Sequence, residues 1–407
     1  MNPLQFPWLD IAIAVALAGS LSLSHVKDPN RAFRWGLLFT GVVFVCTFLA
    51  WLGFYIEGSA GVWPIGHLQQ YLFGRQPLGL DEVNAPLLPA VALMHFLTAL
   101  ATARTKMRWF SSSWSLAVES IHLATFACKE PVVLIALLAI GTLPPLIELV
   151  NRGQPTRLYV LHMALFVILM TVGWFALQTA ADEVEAAWAS AALLAAVLVR
   201  AGVAPTHCWL TDWFEHASFG NALLHVIPLS GVYAVIRLIL PIAPSWVLNG
   251  IAIASLATAI YAAGMAAVQR DVRRFFAYLF LSHASLVLVG LQLHTAVSLT
   301  GALALWFSVI LSLGGFGLAL RALESRFGRL SLIAHHGLFE HSPTLAVCFL
   351  LTGLASVGFP GTLGFVSTDL LVDGAISSNL TIGIAVIAAA ALNGIAIIRA
   401  YLLLFTG

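Results

Sequence analysis

Long apolar runs separated by short polar links recur along the whole chain. Each run is about 20 residues long, which allows a helix to cross the ~30 Å hydrocarbon core of a membrane. A membrane β-barrel would instead alternate apolar and polar positions, whereas residues 251–268 are apolar all round. Because only helices and closed barrels satisfy their backbone in lipid, the pattern predicts an all-α integral membrane protein.

Hydropathy predicts about 13 transmembrane helices in the chain. They cover residues 8–24, 34–56, 84–103, 111–128, 131–150, 157–179, 186–203, 219–242, 246–268, 275–293, 296–319, 343–373 and 378–405.

Charged residues in the links alternate between the two sides that this count defines. Five links on one side hold 14 of the 19 Lys and Arg. Six acidic residues collect on the other side, namely Glu57, Asp81, Glu82, Asp182, Glu183 and Glu185. By the positive-inside rule, the N-terminus is predicted outside and the C-terminus in the cytoplasm. The expected location is an energy-coupling membrane, such as the bacterial inner membrane.

Composition narrows the function classes. Of the 407 residues, 60% are hydrophobic and 9% are charged, against roughly 25% charged in soluble domains. A net charge of +1 gives no basic footprint for nucleic acid. The four cysteines lie far apart, and no nucleotide, flavin or haem motif is present. We therefore predict no cofactor and no catalytic centre within the chain, and we expect any redox chemistry in a partner.

Two apolar runs contain helix breakers. One reads Arg-Ala-Gly-Val-Ala-Pro-Thr-His-Cys-Trp-Leu-Thr-Asp over 200–212, and the other places Gly358, Pro360 and Gly361 within 357–369. Such breaks free backbone groups and are tolerated where a helix lines protein or a watery cavity. Broken helices in corresponding places of two halves are typical of a transporter's ion pathway, although a simple proline kink or loop is the alternative.

At these residues the chain resembles the antiporter-like, proton-conducting membrane subunits of respiratory complex I, membrane-bound hydrogenases and multi-subunit cation/proton antiporters. The resemblance covers residues 80 to 407. It is carried, in the family's order, by Arg200 to Asp212, Asn221 to Arg237, Gln269 to His283, Gly358 to Phe365 and Arg399 to Tyr401.

The resemblance implies two inverted repeats of five helices, each with one broken helix. It divides the chain into N-terminal helices at 1–103, a first repeat at 104–242 and a second at 243–407. It also implies contact with other membrane subunits and with a cytoplasmic catalytic or redox subunit. The chain ends at Gly407, where the family often continues, so we expect a shortened member or a truncated chain.

Ionisable groups at membrane depth are costly and mark candidate functional positions. Arg200 stands where the family has a lysine, but arginine does not release its proton usefully. It is therefore expected to form an electrostatic barrier or attract an anion, or else to pair with a carboxylate. Histidines are the better proton relays, although a lone histidine is often structural. The predicted ion pathway comprises Arg200, His225, His283, Asp369, Glu119 and Glu148.

Several expected titratable positions are neutral in this chain. Ala139 replaces a family glutamate, Leu229 a lysine, Ser308 a histidine and Thr368 a lysine or glutamate. Three functions therefore stay open. The chain is an ion-translocating subunit for H⁺ or Na⁺, a non-conducting membrane scaffold, or the membrane subunit of an inorganic-carbon uptake complex that pairs with a zinc carbonic-anhydrase-like protein.

Two polar clusters contain residue types that bind zinc. A metal site needs ligands that converge, which neither sequence pattern indicates, so no metal is predicted. The clusters are His207, Asp212, Glu215 and His216, and His335, His336, Glu340 and His341.

Overall fold

The structure is a computed structural model that describes residues 6–57, 77–102, 111–293 and 295–407. All regular secondary structure in these ranges is helical, apart from two isolated bridges between single residues. The predicted all-α class is therefore confirmed. Residue contacts group the chain into two units, Met1–Pro144 and Pro145–Gly407.

The first unit is a bundle in which α1 packs on α2 and α4, and α2 packs on α3. A side chain at Gly36 would place its Cβ 2.5 Å from the Cβ of Ser112, so α2 and α4 approach closely there because glycine leaves room. The helices are α1 (Trp8–Ser24), α2 (Pro29–Glu57), α3 (Leu87–Leu100), α4 (Ser112–Ala127), α5 (Pro131–Ile140) and α6 (Leu143–Asn151), which continues into the second unit.

The second unit contains the remaining helices. Among them α12 packs on α13 and α18, and α14 packs on α17. They are α7 (Arg157–Thr179), α8 (Glu183–Ala201), α9 (Cys208–His216), α10 (Phe219–Val226), α11 (Ser230–Ala234), α12 (Ser245–Val268), α13 (Val272–Gln292), α14 (Ala296–Ser308), α15 (Gly314–Phe327), α16 (Pro343–Ser356), α17 (Leu363–Ser378) and α18 (Leu380–Phe405).

Nine helices or helix pairs within the described ranges are long and apolar enough to span a membrane, and three shorter apolar helices accompany them. The multi-pass character is therefore confirmed, while the count of 13 stays a prediction. The predicted domain border at 242 falls in the link between α11 and α12. The border at 103, and the basic cluster Arg104, Lys106 and Arg108, lie outside the described residues. The repeat-based domains stay a prediction.

Both predicted breaks interrupt the helices. The first lies between the end of α8 at Ala201 and the start of α9, where Gly202 adopts φ +73°. The second lies between α16 and α17, where Gly358 and Gly361 adopt φ +91° and +86°. These backbone conformations are readily available only to glycine.

A third break interrupts the predicted continuous span 219–242. Helix α10 ends at Val226, and α11 begins at Ser230 after Leu229 in the left-handed region at φ +54°. Pro228 is the sequence signal for this break. A π-helical segment, Val235–Ile239, follows α11, and another, Val309–Leu313, follows α14. Such segments are frequent at functional sites.

Candidate ion-pathway site

Arg200 lies at the end of α8, just before the first break, and is buried. It lines an internal cavity of about 20 Å³, which is room for one water molecule. The third break turns the chain so that both of its sides reach the same cavity. The other lining residues are Ala201, Trp209, Leu210, His225, Val226, Leu229, Ser230, Gly231, Val232 and Phe280.

The Arg200 guanidinium is held by neutral groups. Its Nη2 donates to the Ser230 hydroxyl at 3.1 Å, and its centre lies 5.6 Å from the Trp209 ring centroid. Its Nε is buried and has no hydrogen-bond partner among the described residues. Within the described ranges no carboxylate forms an ion pair with it. The alternative that Arg200 pairs with a carboxylate to join two helices is therefore not supported.

His225 lies on α10 beside the same cavity as Arg200, so the structure brings these two predicted residues together. Three aromatic rings surround its imidazole. The ring centroids of Tyr159, Trp209 and Trp213 lie 6.4, 6.4 and 5.9 Å away. Trp209 belongs to the sequence motif at 200–212, whereas Tyr159 and Trp213 were not identified from the sequence, because their contacts depend on how α7 and α9 pack.

Indole side chains satisfy carbonyl groups at the first and third breaks. Trp209 Nε1 donates to the carbonyl of Val199 at 2.9 Å, and Trp306 Nε1 donates to the carbonyl of Pro228 at 3.0 Å. Both hydrogen bonds are buried. The indole N–H groups replace backbone donors that these carbonyls would have within an unbroken helix. Backbone groups in an apolar interior need such partners because no water is available to them.

His283 joins α13 to the second break. Its Nδ1 lies 2.8 Å from the carbonyl oxygen of Leu279, and its Nε2 lies 3.1 Å from the carbonyl oxygen of Ser356 at the end of α16. Both neighbours are acceptors only. They satisfy both N–H groups of an imidazolium, whereas a neutral imidazole has a single N–H to donate. The ring is buried, and Phe280, one turn earlier on α13, lines the Arg200 cavity.

A second polar contact lies beside His283. Asn393 Nδ2 donates to the Ser282 hydroxyl at 2.9 Å, and that hydroxyl donates to the carbonyl of Ala259 at 2.9 Å. Asn393 Oδ1 is buried and has no partner among the described residues. Asn393 was not identified from the sequence, because a neutral amide does not stand out at membrane depth as a charged group or a histidine does.

Asp369 is exposed on α17 and makes no hydrogen bond or ion pair with the described residues. Ser367, two residues earlier, is buried, so Asp369 lies on the opposite, exposed face of the helix. The structure therefore does not bring Asp369 to the interior that holds Arg200 and His283. Its predicted place in the ion pathway has no contact to support it.

Glu148 is nearly buried on α6 and contacts the start of α10. Its Oε1 accepts from the Ser218 backbone N–H at 2.9 Å, and its Oε2 accepts from Asn221 Nδ2 at 2.8 Å. Arg152 Nη1 lies 3.9 Å from Oε1. A carboxylate at a helix N-terminus is stabilised by the free N–H groups there. The geometry gives Glu148 an anchoring contact, and its role in a pathway stays a prediction.

Glu119 lies in the first unit, on α4, and is completely buried. Neither of its carboxylate oxygens has a hydrogen-bond partner among the described residues. The same unit contains a pair of histidines that was not identified from the sequence. His95 Nε2 of α3 lies 3.2 Å from His122 Nδ1 of α4, and both rings are buried. Because 27 residues separate them, each histidine looks isolated in the sequence.

Three of the four neutral positions lie at helix breaks, namely Leu229, Thr368 and Ser308. Leu229 lines the Arg200 cavity. A Cβ at Gly358 would contact Thr368 Oγ1 at 3.3 Å, and one at Gly364 would contact Ser308 Oγ at 3.2 Å, so both residues lie at the second break. The Ser308 hydroxyl is buried and has no partner among the described residues.

The carboxylates of the first polar cluster form hydrogen bonds and ion pairs with nearby side chains. Arg274 donates from Nε and Nη2 to Glu215 Oε2 at 3.0 and 2.6 Å, and these bonds lower the pKa of the Glu215 carboxyl. Partial burial raises the pKa of Asp212, whose carboxylate lies 3.2 Å from His216 Nδ1. Across the described ranges, no three His, Cys, Asp or Glu side chains form a group able to hold a metal ion.

Comparison with known proteins identifies the family. Residues 157–393, more than half of the chain, match the family model described as "NADH:quinone oxidoreductase/Mrp antiporter, TM". The chain belongs to this family. It is an antiporter-like membrane subunit of the complex I and Mrp type, and the resemblance inferred from the sequence is confirmed.

Relatives in this family share about a quarter of their residues with the chain. NAD(P)H-quinone oxidoreductase chain 4 of Acaryochloris marina is 25% identical over 417 residues, covering 93% of this chain and 77% of the relative. NADH-quinone oxidoreductase subunit 13 of Thermus thermophilus is 27% identical over 325 residues, covering 73% of this chain and 68% of the relative.

Solved structures share the fold. A chain of respiratory complex I from Thermus thermophilus with bound NADH aligns with a TM-score of 0.81 at 22% identity, covering 97% of this chain and 88% of its own length. A chain of the Mrp complex from Dietzia sp. DQ12-45-1b aligns with a TM-score of 0.82 at 19% identity, covering 100% and 81%. Homologues of this chain are thus subunits of multi-subunit membrane complexes.

Proposed function

We propose that this subunit translocates protons, and that His283 is the group whose protonation changes during transport. The observation that supports this is the pair of carbonyl oxygens, from Leu279 and Ser356, that face its two ring nitrogens. Gaining a proton completes both hydrogen bonds. Losing the proton from Nε2 leaves the Ser356 carbonyl facing a nitrogen lone pair, so the end of α16 is then less tightly held.

Protons fit the interior of the second unit better than Na⁺. Hard cations such as Na⁺ favour oxygen ligands, and carboxylates above all, by the same chemistry that governs Ca²⁺ and Mg²⁺ sites. The charged or titratable side chains that line the Arg200 cavity are Arg200 and His225, and neither is a carboxylate. The carboxylate of Glu148 already accepts hydrogen bonds from Ser218 and Asn221. Imidazole groups carry protons near neutral pH.

Arg200 acts as a fixed positive charge in this proposal. Its guanidinium keeps its proton, so it does not relay protons itself. It donates a hydrogen bond to the hydroxyl of Ser230, and the remaining space has room for one water. Proton entry beside Arg200 then relies on His225 and water.

The assembly and orientation extend the same proposal. We infer that a cytoplasmic redox or catalytic subunit supplies energy, since relatives are named NAD(P)H-quinone oxidoreductase chains. The distribution of basic links supports an N-terminus outside and a C-terminus in the cytoplasm of a bacterial inner membrane.

Proton flux through the reconstituted complex tests the function. The complex that contains this subunit is placed in liposomes, a K⁺ gradient with valinomycin imposes the potential, and an internal pH dye reports uptake. His283→Ala is expected to lower the initial rate about tenfold or more, as general acid–base groups contribute 10²–10⁴-fold in catalysis. His162→Ala is the matched control, because His162 Nδ1 also contacts its own i−4 carbonyl, of Leu158 at 2.9 Å. Equal rates in wild type and His283→Ala reject the proposal.

A non-conducting scaffold is the second candidate, and Leu229 favours it. Leu229 occupies the Arg200 cavity in place of the family's lysine, which removes a titratable group from the pathway. A scaffold predicts no proton uptake through this subunit in any variant while the complex still assembles. Flux that depends on His283 excludes it.

A further inference from the structure

A basic cleft lies at one end of α12, apart from the ion-pathway residues. It has a volume of about 500 Å³ and is lined by Ala267, Val268, Arg270, Leu332, Ile333 and Arg399. Two of the six residues are arginines and none is acidic. The cleft therefore combines two positive charges with apolar walls.

The two arginines are available to a ligand in different ways. Arg399 Nη1 and Nη2 donate to the carbonyls of Gln269 and Leu332 at 3.1 and 3.3 Å, which fixes the guanidinium at the cleft without neutralising it. Arg270 is exposed, and its side chain makes no hydrogen bond or ion pair with the described residues. An anchored charge thus lies beside an exposed one that has no partner among the described residues.

The cleft lies at the level where two membrane-spanning helices reach the membrane surface. The candidate span of α12 ends at Val268, and that of α13 begins at Val272, so Arg270 lies in the short link between two membrane-spanning helices. This link belongs to the basic side of the protein, where anionic lipid headgroups attract Lys and Arg.

An apolar stripe on α12 leads away from the cleft into the membrane. Ile253, Tyr261 and Val268 are 67%, 41% and 64% exposed and recur at intervals of eight and seven residues, which places them on one helix face. From Ile253 to Val268 the helix rises about 22 Å, at about 1.5 Å per residue. That exceeds the ~15 Å depth of one hydrocarbon leaflet, which is half of ~30 Å.

We propose that this cleft binds an anionic phospholipid. The phosphate of its headgroup lies between Arg270 and Arg399, and its acyl chains follow the exposed stripe of α12. Arginine's planar fork of N–H groups suits a phosphate, and the 69% exposed Ile333 covers the glycerol region. A free inorganic phosphate would use the arginines and leave the apolar surface uncovered. This inference does not depend on proton conduction.

Native mass spectrometry of the full chain in detergent measures how strongly the cleft prefers an anionic lipid to a lipid of zero net charge. The chain is titrated with dioleoyl phosphatidylglycerol or, as the zwitterionic control of zero net charge, with dioleoyl phosphatidylcholine. Each arginine near an anionic headgroup is expected to contribute about fivefold in affinity, so the wild type prefers phosphatidylglycerol by roughly 30-fold. Arg270→Gln is expected to reduce the preference about fivefold, and the double variant with Arg399→Gln to abolish it.

Two controls separate charge from folding. Arg157→Gln removes an exposed arginine from another link and is expected to leave the preference unchanged. Arg399→Lys retains the charge but loses the planar fork of N–H groups, so the preference is expected to fall by no more than about threefold from wild type, since the electrostatic part remains. Arg270 makes no contacts that folding requires, so its variant carries the test even if Arg399→Gln misfolds.

Three outcomes would overturn the proposal. One is an equal preference in wild type and Arg270→Gln. Another is displacement of phosphatidylglycerol by millimolar inorganic phosphate, which would assign the cleft to a free anion. The third is loss of the preference when the chain is assembled with its membrane partners, which would assign the cleft to an acidic group of a neighbouring subunit.

Discussion

Replacing Arg273 is expected to loosen the helix that follows the first break. Arg273, at the start of α13, forms a bidentate pair with Glu324 of α15, with Nε–Oε2 and Nη2–Oε1 distances of 2.7 and 2.6 Å. Its Nη1 also donates to the carbonyls of Phe214 and Ala217 at 3.0 and 2.7 Å, at the end of α9. One side chain therefore joins three helices.

The expected loss of unfolding free energy follows from the burial of the ion pair. The side chains of Arg273 and Glu324 are only 10% and 21% exposed. Removing one member of a buried pair costs about 3–5 kcal/mol, because the other charge and its hydrogen-bonding groups lose their partners. We expect Arg273→Met to lower the free energy of unfolding by about 3–4 kcal/mol, towards the lower end because Glu324 retains some access to solvent.

A double-mutant cycle isolates the pair. Unfolding of the full chain in mixed micelles is followed by circular dichroism during titration with dodecyl sulfate, for wild type, Arg273→Met, Glu324→Gln and both together. The coupling energy is expected to be about 1.5–3 kcal/mol, the upper part of the range for groups in contact. The matched control is the next arginine, Arg274, whose side chain is 51% exposed and pairs with Glu215. Its coupling is expected below about 1 kcal/mol.

Equal coupling energies for the two pairs would refute the reasoning, since burial would then not set the strength of these contacts. A value below about 0.5 kcal/mol for Arg273 and Glu324 would do the same. In that case α9 is held by its apolar contacts, and the arginine is a minor contributor.

Three further changes test other contacts. Trp306→Phe removes the indole that donates to the Pro228 carbonyl, and an unsatisfied buried carbonyl is expected to cost about 1–3 kcal/mol in the same unfolding assay. Gly301→Ala would place a Cβ 2.6 Å from a backbone nitrogen of α17, so the helices must separate, and about 1–3 kcal/mol should be lost. Because the folded pKa of Glu215 is lowered, its stabilisation is present above the ordinary value of about 4.3 and is lost as pH falls through the lowered pKa. The difference in unfolding free energy between wild type and Glu215→Gln, below about 1 kcal/mol at pH 6, should therefore shrink towards pH 3.

The fold was largely predictable because its signals are local. Apolar runs of membrane length predict helices whatever their partners. Gly202 and Gly358 mark breaks in the sequence because glycine readily adopts the positive φ values that the chain has there. The third break escaped prediction since a single proline, Pro228, often only kinks a helix, and the left-handed residue beside it is Leu229, not glycine. Nothing in a leucine indicates that conformation.

The site was less predictable because it depends on which way each side chain faces. Asp369 and Ser367 are two residues apart on α17, yet one is exposed and the other is buried. The helix has apolar residues on most sides, so the sequence did not indicate its interior face. The pairing of His95 with His122 depends on how α3 and α4 pack, and no local pattern encodes it.

The three breaks differ in the group that satisfies their freed backbone, and this difference has a chemical consequence. Indole N–H groups of Trp209 and Trp306 serve the first and third breaks, and an indole keeps its proton at every pH that the protein experiences. At the second break the ring that faces the Ser356 carbonyl is the imidazole of His283, a side-chain type that, unlike an indole, can take up and release a proton. A change of protonation can therefore loosen or tighten the second break while the other two stay fixed. Conformational change driven by protons is accordingly expected at residues 357–362, and the first broken helix is expected to remain a rigid wall around Arg200.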